Sequence, residues 1–178
     1  MTRAGQARRV AALAMLSGIA LIIFTIEARL PANIVPIPGV KLGLANIVTL
    51  FTLYRCGRRE AFSVLIVRVL LGAIVTGHML TLAYSLSGGL LCLAVCALAR
   101  PVFKRNIWIC SMVGAVFHNI GQLLAARVIL KSAAVFAYFP PLLIAGLATG
   151  LFTGLCVHVL LPRLDKSFSK ISFSEHPL

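Results

Sequence analysis

Long apolar runs with basic residues at every second boundary constrain the fold of this chain most strongly. A helix that crosses a bilayer needs about 20 consecutive apolar residues, and the first run extends from Val10 to Ile26. Basic clusters such as Arg55, Arg58 and Arg59 fall at every second boundary, which is the positive-inside pattern of helical membrane proteins. We therefore predict an all-α integral membrane protein with both termini in the cytoplasm.

Composition leads to the same prediction. Of the 178 residues, 60% are hydrophobic and 12% are charged, whereas about a quarter of the residues of a soluble domain are charged. The net charge of +13 does not indicate nucleic acid as a partner, because the basic residues occupy short turns and not one face with interleaved aromatics. The five cysteines lie in or beside apolar runs, which favours buried small side chains over a metal site.

Six transmembrane helices are expected in a single domain of a multi-pass protein of the plasma membrane. The predicted helices cover about residues 9–29, 41–54, 60–75, 80–99, 107–130 and 142–161, and residues 162–178 are expected to form a cytoplasmic tail. The second helix is short for a full span at 1.5 Å per residue. Either the loop before it dips into the membrane or the helix starts below the membrane surface.

The segment PIPGVKLGLAN, which begins at Pro36, joins a rigid loop to an apolar helix. Its two prolines fix φ and remove backbone donors, and Gly39 permits a turn, so regular helix starts only after them. Lys41 and Asn46 then lie beside or within apolar sequence, where isolated charges and amides are costly. We expect a loop that covers the outer mouth of a membrane cavity and a helix start that lines this cavity.

Arg68 falls near the middle of the third predicted helix. A charged residue at that depth costs at least about 2.5 kcal/mol, so it should face the interior and a partner. Arg68 either lines a site for an anionic ligand or makes a structural bond to carbonyl groups or to Glu27. Glu27 itself either pairs with Arg29 or lipid headgroups, or points into the cavity.

His118, Asn119 and Gln122 place three hydrogen-bonding side chains in the middle of the fifth predicted helix. At 100° per residue, His118 and Gln122 share a face of small residues, and Asn119 lies at its edge. This face either lines a ligand pocket or provides hydrogen bonds between helices. With Arg68 and Lys41, it would suit a ligand with an anionic or carbonyl-rich head and an apolar or aromatic body.

Small residues recur on three helices. Ala14 and Gly18 belong to a row with four-residue spacing on the first helix, and Gly146–Gly154 contains a glycine row on the sixth. Such rows let another helix approach closely in lipid, either inside the protein or from a partner subunit. In the outer half of the fourth helix, Tyr84 precedes serines and glycines, for which close helix packing is the simplest explanation.

Catalytic motifs are missing, so this chain is not expected to be an enzyme. It has no GxxxxGK[ST] motif for nucleotide hydrolysis. An enzyme that activates a diphosphate through magnesium needs clustered carboxylates. The single aspartate, Asp165, lies in the predicted tail, and the glutamates are scattered.

Three motifs in order, PIPGVKLGLANIV from Pro36, YSLSGG from Tyr84 and HNIGQ from His118, carry a resemblance to a known family. The chain resembles, over about residues 9–161, the family named both Gx transporter and heptaprenyl diphosphate synthase component I. Proteins of this family are similar to the substrate-binding S components of energy-coupling factor (ECF) transporters. The resemblance implies a six-helix bundle, a first loop at residues 31–39 that closes over the ligand, and small residues on the first helix that dock a transmembrane coupling subunit. Ala14 and Gly18 match the docking position, with glycine in place of the usual second alanine.

The resemblance implies a substrate-binding membrane subunit of an energy-coupled uptake transporter. A vitamin, a flavin or a quinone or isoprenoid precursor would fit the expected apolar cavity with cationic groups. The coupling subunit and the ATPases would be separate chains that use the ATP, and no cofactor is expected in this chain. The family's enzyme name implies an alternative, a non-catalytic membrane component of heptaprenyl diphosphate synthase, and a membrane scaffold is a third possibility. The residues predicted to bind the ligand are Lys41, Asn46, Arg68, Tyr84, His118, Asn119 and Gln122.

Overall fold

The structure, a computed structural model, describes residues 3–29, 43–77, 79–168, 171 and 173. Within these residues the chain forms helices and no strands. A short 3₁₀ helix, Ala133–Tyr138, precedes the last of six α-helices. The α-helices are α1 (Arg3–Arg29), α2 (Asn46–Arg55), α3 (Arg58–Thr76), α4 (Met79–Ala99), α5 (Ile107–Leu130) and α6 (Phe139–Phe168).

Helix α2 lies at the centre of the fold. It contacts α1, α3, α4 and α6, and every residue of Val48–Arg55 is buried. A helix without an exposed polar face is stable where other protein segments surround it. Its ten residues extend over about 15 Å, half the thickness of a bilayer core. Helix α2 starts at Asn46, later than the predicted residue 41, because residues 43–45 form a turn and not helix; residues 41 and 42 lie outside the described part of the chain.

The other five helices form an arc around α2. Helix α1 packs on α3, α3 on α4, α4 on α5 and α5 on α6. The short connections from α3 to α6 make successive helices antiparallel neighbours. At the basic end of the arc, Arg9 of α1 donates a hydrogen bond of 2.7 Å to Glu60 of α3, and the Glu60 side chain is fully buried.

Four helical stretches are long and apolar enough to cross a membrane. Helix α2 is too short to be one of them, and α3 carries Arg58, Arg59, Glu60 and Arg68 on its 19 residues. The described part of the structure is thus all-helical with four candidate membrane spans. The expected count of six transmembrane helices stays a prediction. The four stretches are Gly5–Glu27, Met79–Ala99, Ile107–Leu130 and Ala133–Leu164.

The glycine row of α6 packs against α5. A Cβ atom added to Gly150 would lie 2.7 Å from Met112 Cα, and one added to Gly154 would lie 2.5 Å from Trp108 Cα. The neighbouring atoms belong to the backbone, so a larger side chain would push the two helices apart. The prediction of a close helix neighbour is confirmed, and the neighbour is internal.

Helix α6 is longer than predicted and continues through Pro162 to Phe168. Phe168 is buried, and its ring packs edge-on against Phe51 of α2 with 5.6 Å between the ring centroids. The sixth helix thus ends at Phe168 and not at the predicted residue 161, and the cytoplasmic tail stays a prediction. The basic and polar sequence did not indicate this longer helix, in which Pro162 and Arg163 are exposed and Phe168 is buried.

Candidate functional site

Four polar side chains from three helices form a continuous hydrogen-bonded network in the interior, which we call the polar network. Arg68 of α3 donates from Nη2 to the Asn46 side-chain oxygen at 2.6 Å. Asn46 Nδ2 lies 3.2 Å from His118 Nδ1, and Gln122 Nε2 lies 2.7 Å from His118 Nε2. Arg68, His118 and Gln122 are at most 3% exposed. These four residues of the predicted ligand-binding set contact one another, and their role in ligand binding stays a prediction.

The donors and acceptors fix the direction of the polar network. Arginine only donates, so the Asn46 oxygen faces Arg68 and the Asn46 NH₂ group donates to His118 Nδ1. A neutral imidazole then carries its proton on Nε2. The Gln122 amide must accept this proton through its oxygen, which requires turning over an amide whose two terminal atoms are nearly equal in size. Every bond in the network then has one donor and one acceptor.

Glu27, near the C-terminal end of α1, points into the protein and not toward headgroups. Its Oε1 atom accepts a short hydrogen bond from the backbone N–H of Gly43, and its Oε2 atom accepts a longer one, 3.4 Å, from Ala45. Glu27 is 7% exposed, whereas Arg29 is exposed. The alternatives that paired Glu27 with Arg29 or with headgroups are wrong, and its carboxylate fastens α1 to the turn that leads into α2.

That turn, Gly43–Ala45, is the α2 approach turn, and it lies against the polar network. Gly43 has φ of 85°, a left-handed conformation that glycine adopts readily. A Cβ atom at Gly43 would also lie 2.8 Å from Asn46 Nδ2 and 3.1 Å from His118 Cδ2. Both the backbone conformation and the close contact require glycine at this position. No sequence pattern singled out Gly43, whereas an inward position of Glu27, one of only four acidic residues, was one of the alternatives that the sequence left open.

Glycines on α4 and α5 let these helices meet beside His118. A Cβ atom at Gly88 would lie 2.8 Å from the His118 carbonyl oxygen and 2.9 Å from Gln122 Cγ. At Gly121, an added Cβ would lie 2.8 Å from Gly88 Cα. The small residues after Tyr84 therefore serve close helix packing, as predicted, and this packing positions α5 with the polar network.

Asn119 and Tyr84 have surroundings different from those of the polar network. Asn119 donates a hydrogen bond of 2.7 Å to the carbonyl oxygen of Leu142, which links α5 to α6. Tyr84 packs in a separate apolar cluster that includes Leu123 and Leu142. Both residues are buried. Lys41 and the predicted ligand-covering residues 31–39 lie outside the described residues.

A narrow cavity adjoins the polar network between α2, α4, α5 and α6. It accepts a water-sized sphere over only about 20 Å³, whereas pockets for drug-sized ligands enclose about 300–1,000 Å³. In this conformation the network residues bind one another, and a vitamin-sized ligand requires the helices to open. The polar residues that line the cavity include Asn46, Thr49, Cys92, Ser111, Thr149 and Thr153.

A face of α1 with small side chains is exposed. Ala14 and Gly18 are both exposed, and a Cβ atom added at Gly18 would meet nothing within 4 Å. Met15 and Ile22, beside them, are 54% and 61% exposed. The interpretation that packs Ala14 and Gly18 inside the protein is wrong, and this face is open to lipid or to another protein.

The fold and the polar network define the class of this protein. It is all-helical, several of its helices are apolar enough to span a membrane, and its interior contains a polar network. The chain belongs to the family described as heptaprenyl diphosphate synthase component I, which matches residues 16–160. This match extends from α1 into α6 and contains the whole polar network, and it confirms the family resemblance drawn from the three motifs. No curated protein and no solved structure matches the chain.

Proposed function

We propose that this chain is the substrate-binding membrane subunit of an energy-coupled uptake transporter for a small amphiphilic or anionic molecule. The observation that carries the proposal is the position of Arg68. It is 2% exposed, it lies in the middle of α3, and among the described residues its hydrogen bond goes to the Asn46 amide and not to a carboxylate. An arginine buried among apolar helices is costly, and its usual roles are in binding sites and pathways.

The remaining hydrogen-bonding capacity of Arg68 supports a ligand. Its Nε atom is buried and has no hydrogen-bond partner among the described residues. A buried donor without a partner costs about 1–3 kcal/mol, and more when it is charged. An anionic or carbonyl group of a ligand would satisfy this donor, and the aliphatic residues around it would take the apolar body of the molecule.

The exposed face of α1 supports a second chain as partner. Ala14 and Gly18 leave room for the backbone of another transmembrane helix, since small residues permit close approach in lipid. We propose that this face docks a transmembrane coupling subunit, to which separate ATPase subunits bind. The protein would lie in the plasma membrane with six passes and both termini in the cytoplasm, as the distribution of basic residues favours.

The family's name supports a second candidate, a membrane component of heptaprenyl diphosphate synthase. In this role the chain would be non-catalytic. The carboxylates of Glu27 and Glu60 lie far apart, because Glu60 pairs with Arg9 and Glu27 lies 18 residues farther along α1 than Arg9, or about 27 Å. These two acids therefore cannot share a magnesium ion, which would be needed to activate a diphosphate.

One experiment separates the two functions. The purified chain in lipid nanodiscs is assayed for small molecules that co-purify with it, by mass spectrometry, and is added to a soluble prenyl synthase subunit whose product is quantified. The transporter proposal expects a specific small molecule bound to the chain and unchanged prenyl product. An increase in product without a bound small molecule would favour the synthase component and overturn the transporter proposal.

A further inference from the structure

The start of α2 gathers donors for an anion, and Glu27 already occupies them. The backbone N–H groups of Gly43 and Ala45 both point to the Glu27 carboxylate. Free N–H groups at a helix N-terminus, together with the helix dipole, favour negative charge and bind phosphate or carboxylate groups in many proteins. Glu27 is thus a carboxylate bound at an anion site within the same chain.

Arg68 adds a positive charge to this site. It donates to the side chain of Asn46, the first residue of α2, and Glu27 accepts from the turn that directly precedes Asn46. The buried Nε atom has no hydrogen-bond partner among the described residues. The guanidinium group of Arg68 therefore lies at the first residue of α2 and keeps one buried donor that no described residue uses.

We propose that the N–H groups of Gly43 and Ala45, together with Arg68, form a subsite for the carboxylate or phosphate group of a ligand, and that Glu27 is the resident anion that this group displaces. The inference rests on the proposed function and adds the chemical class of the ligand's head. Two carboxylates, or a carboxylate and a phosphate, cannot both use these donors, because like charges at close range disfavour one another. Binding of the ligand therefore requires Glu27 to leave the α2 approach turn.

Displacement of Glu27 has a structural consequence for α1. Its carboxylate is the described side-chain link between the C-terminal end of α1 and the α2 approach turn. When the ligand takes these donors, the C-terminal end of α1 is released from α2. The exposed Ala14 and Gly18 lie on the same helix, so ligand binding at the start of α2 changes the position of the face that we assign to a partner subunit.

The test compares binding of hexyl phosphate, an anion with an apolar tail, and hexanol, its neutral counterpart, by calorimetry in nanodiscs of zwitterionic lipid. Glu27→Gln keeps a side-chain oxygen for the backbone N–H groups but removes the competing charge. We expect Glu27→Gln to bind hexyl phosphate about tenfold more tightly than wild type. The free energy of this change is smaller than the several kcal/mol that two juxtaposed like charges can cost. Hexanol binding should be unchanged.

Two further variants support the comparison. Glu60→Gln, which removes the buried acid that pairs with Arg9 at the other end of α1, should bind hexyl phosphate as the wild type does. Glu27→Asp keeps the charge on a shorter side chain and should give an affinity between those of wild type and Glu27→Gln, so the comparison does not depend on the folding of one variant. Equal or weaker hexyl phosphate binding by both Glu27 variants would overturn the inference. Because this test does not use the natural ligand, a specific co-purifying molecule would leave the proposed function standing in that case.

Discussion

Arg68 and Asn46 are joined by a hydrogen bond of 2.6 Å between the middle of α3 and the first residue of α2. The bond ties the single buried arginine of the polar network to the helix at the centre of the fold. Because Asn46 also contacts His118, three helices depend on one amide side chain. The α2 approach turn and the polar network are therefore one structural unit, and substitutions in the turn should affect the network.

Gly43→Ala tests this unit. The left-handed φ of 85° costs an alanine about 1–2 kcal/mol, and the added Cβ would also press on Asn46 and His118. We expect a loss of more than about 2 kcal/mol, measured as the free energy of unfolding in detergent by circular dichroism.

Gly77→Ala is the matched control for Gly43→Ala. Gly77 has φ of 68°, and an added Cβ would meet nothing within 4 Å. Only the backbone cost, about 1–2 kcal/mol, is expected there. Equal destabilisation by the two substitutions would show that the α2 approach turn does not press on the polar network.

Asn119→Leu separates a structural from a ligand-binding role. The substitution keeps a similar volume but removes the hydrogen bond to the Leu142 carbonyl oxygen. We expect a loss of stability of about 1 kcal/mol. Ligand affinity should stay within about twofold of wild type, because the Asn119 side chain bonds to Leu142 and not to a residue of the polar network. A loss of ligand binding much larger than the loss of stability would return Asn119 to the site.

Gly18→Leu probes the exposed face of α1. Nothing lies within 4 Å of the added Cβ, so stability should change by no more than about 0.5 kcal/mol. The larger side chain should block close approach of a partner helix and reduce co-purification of a transmembrane coupling subunit from cell membranes. If the subunit co-purifies equally with both proteins, this face is not its docking surface.

Sequence patterns were informative where one physical requirement dominates. The apolar runs and the cost of burying Arg68 indicated a helical membrane protein with an inward-facing arginine, and the periodicity of α5 placed His118 and Gln122 on one face. The glycine row of α6 predicted a close neighbour because only small residues allow backbones to touch.

Tertiary contacts decided the rest. The sequence did not decide where the Glu27 side chain points. Its partners are backbone N–H groups of a turn far along the chain, and side-chain patterns do not reveal such partners. Asn119 and His118 are adjacent in sequence, yet Asn119 bonds to α6 and His118 joins the polar network. A helical wheel gives the angle between the two side chains but not the partner of each. Phe168 lies among basic and polar residues, and its burial against Phe51 depends on the position of α2.

The most direct test of the account is retention of the co-purifying small molecule by wild type and by Arg68→Gln in nanodiscs, quantified by mass spectrometry with unfolding temperature measured in parallel. Glutamine can still donate to Asn46 but lacks the charge. We expect Arg68→Gln to remain folded and its amount of bound ligand to fall at least about tenfold, which corresponds to the free energy of a hydrogen bond to a charged group. The control Arg127→Gln, at an exposed position on α5, should retain as much ligand as wild type. Equal retention by wild type and Arg68→Gln would contradict the assignment of the polar network as a ligand site.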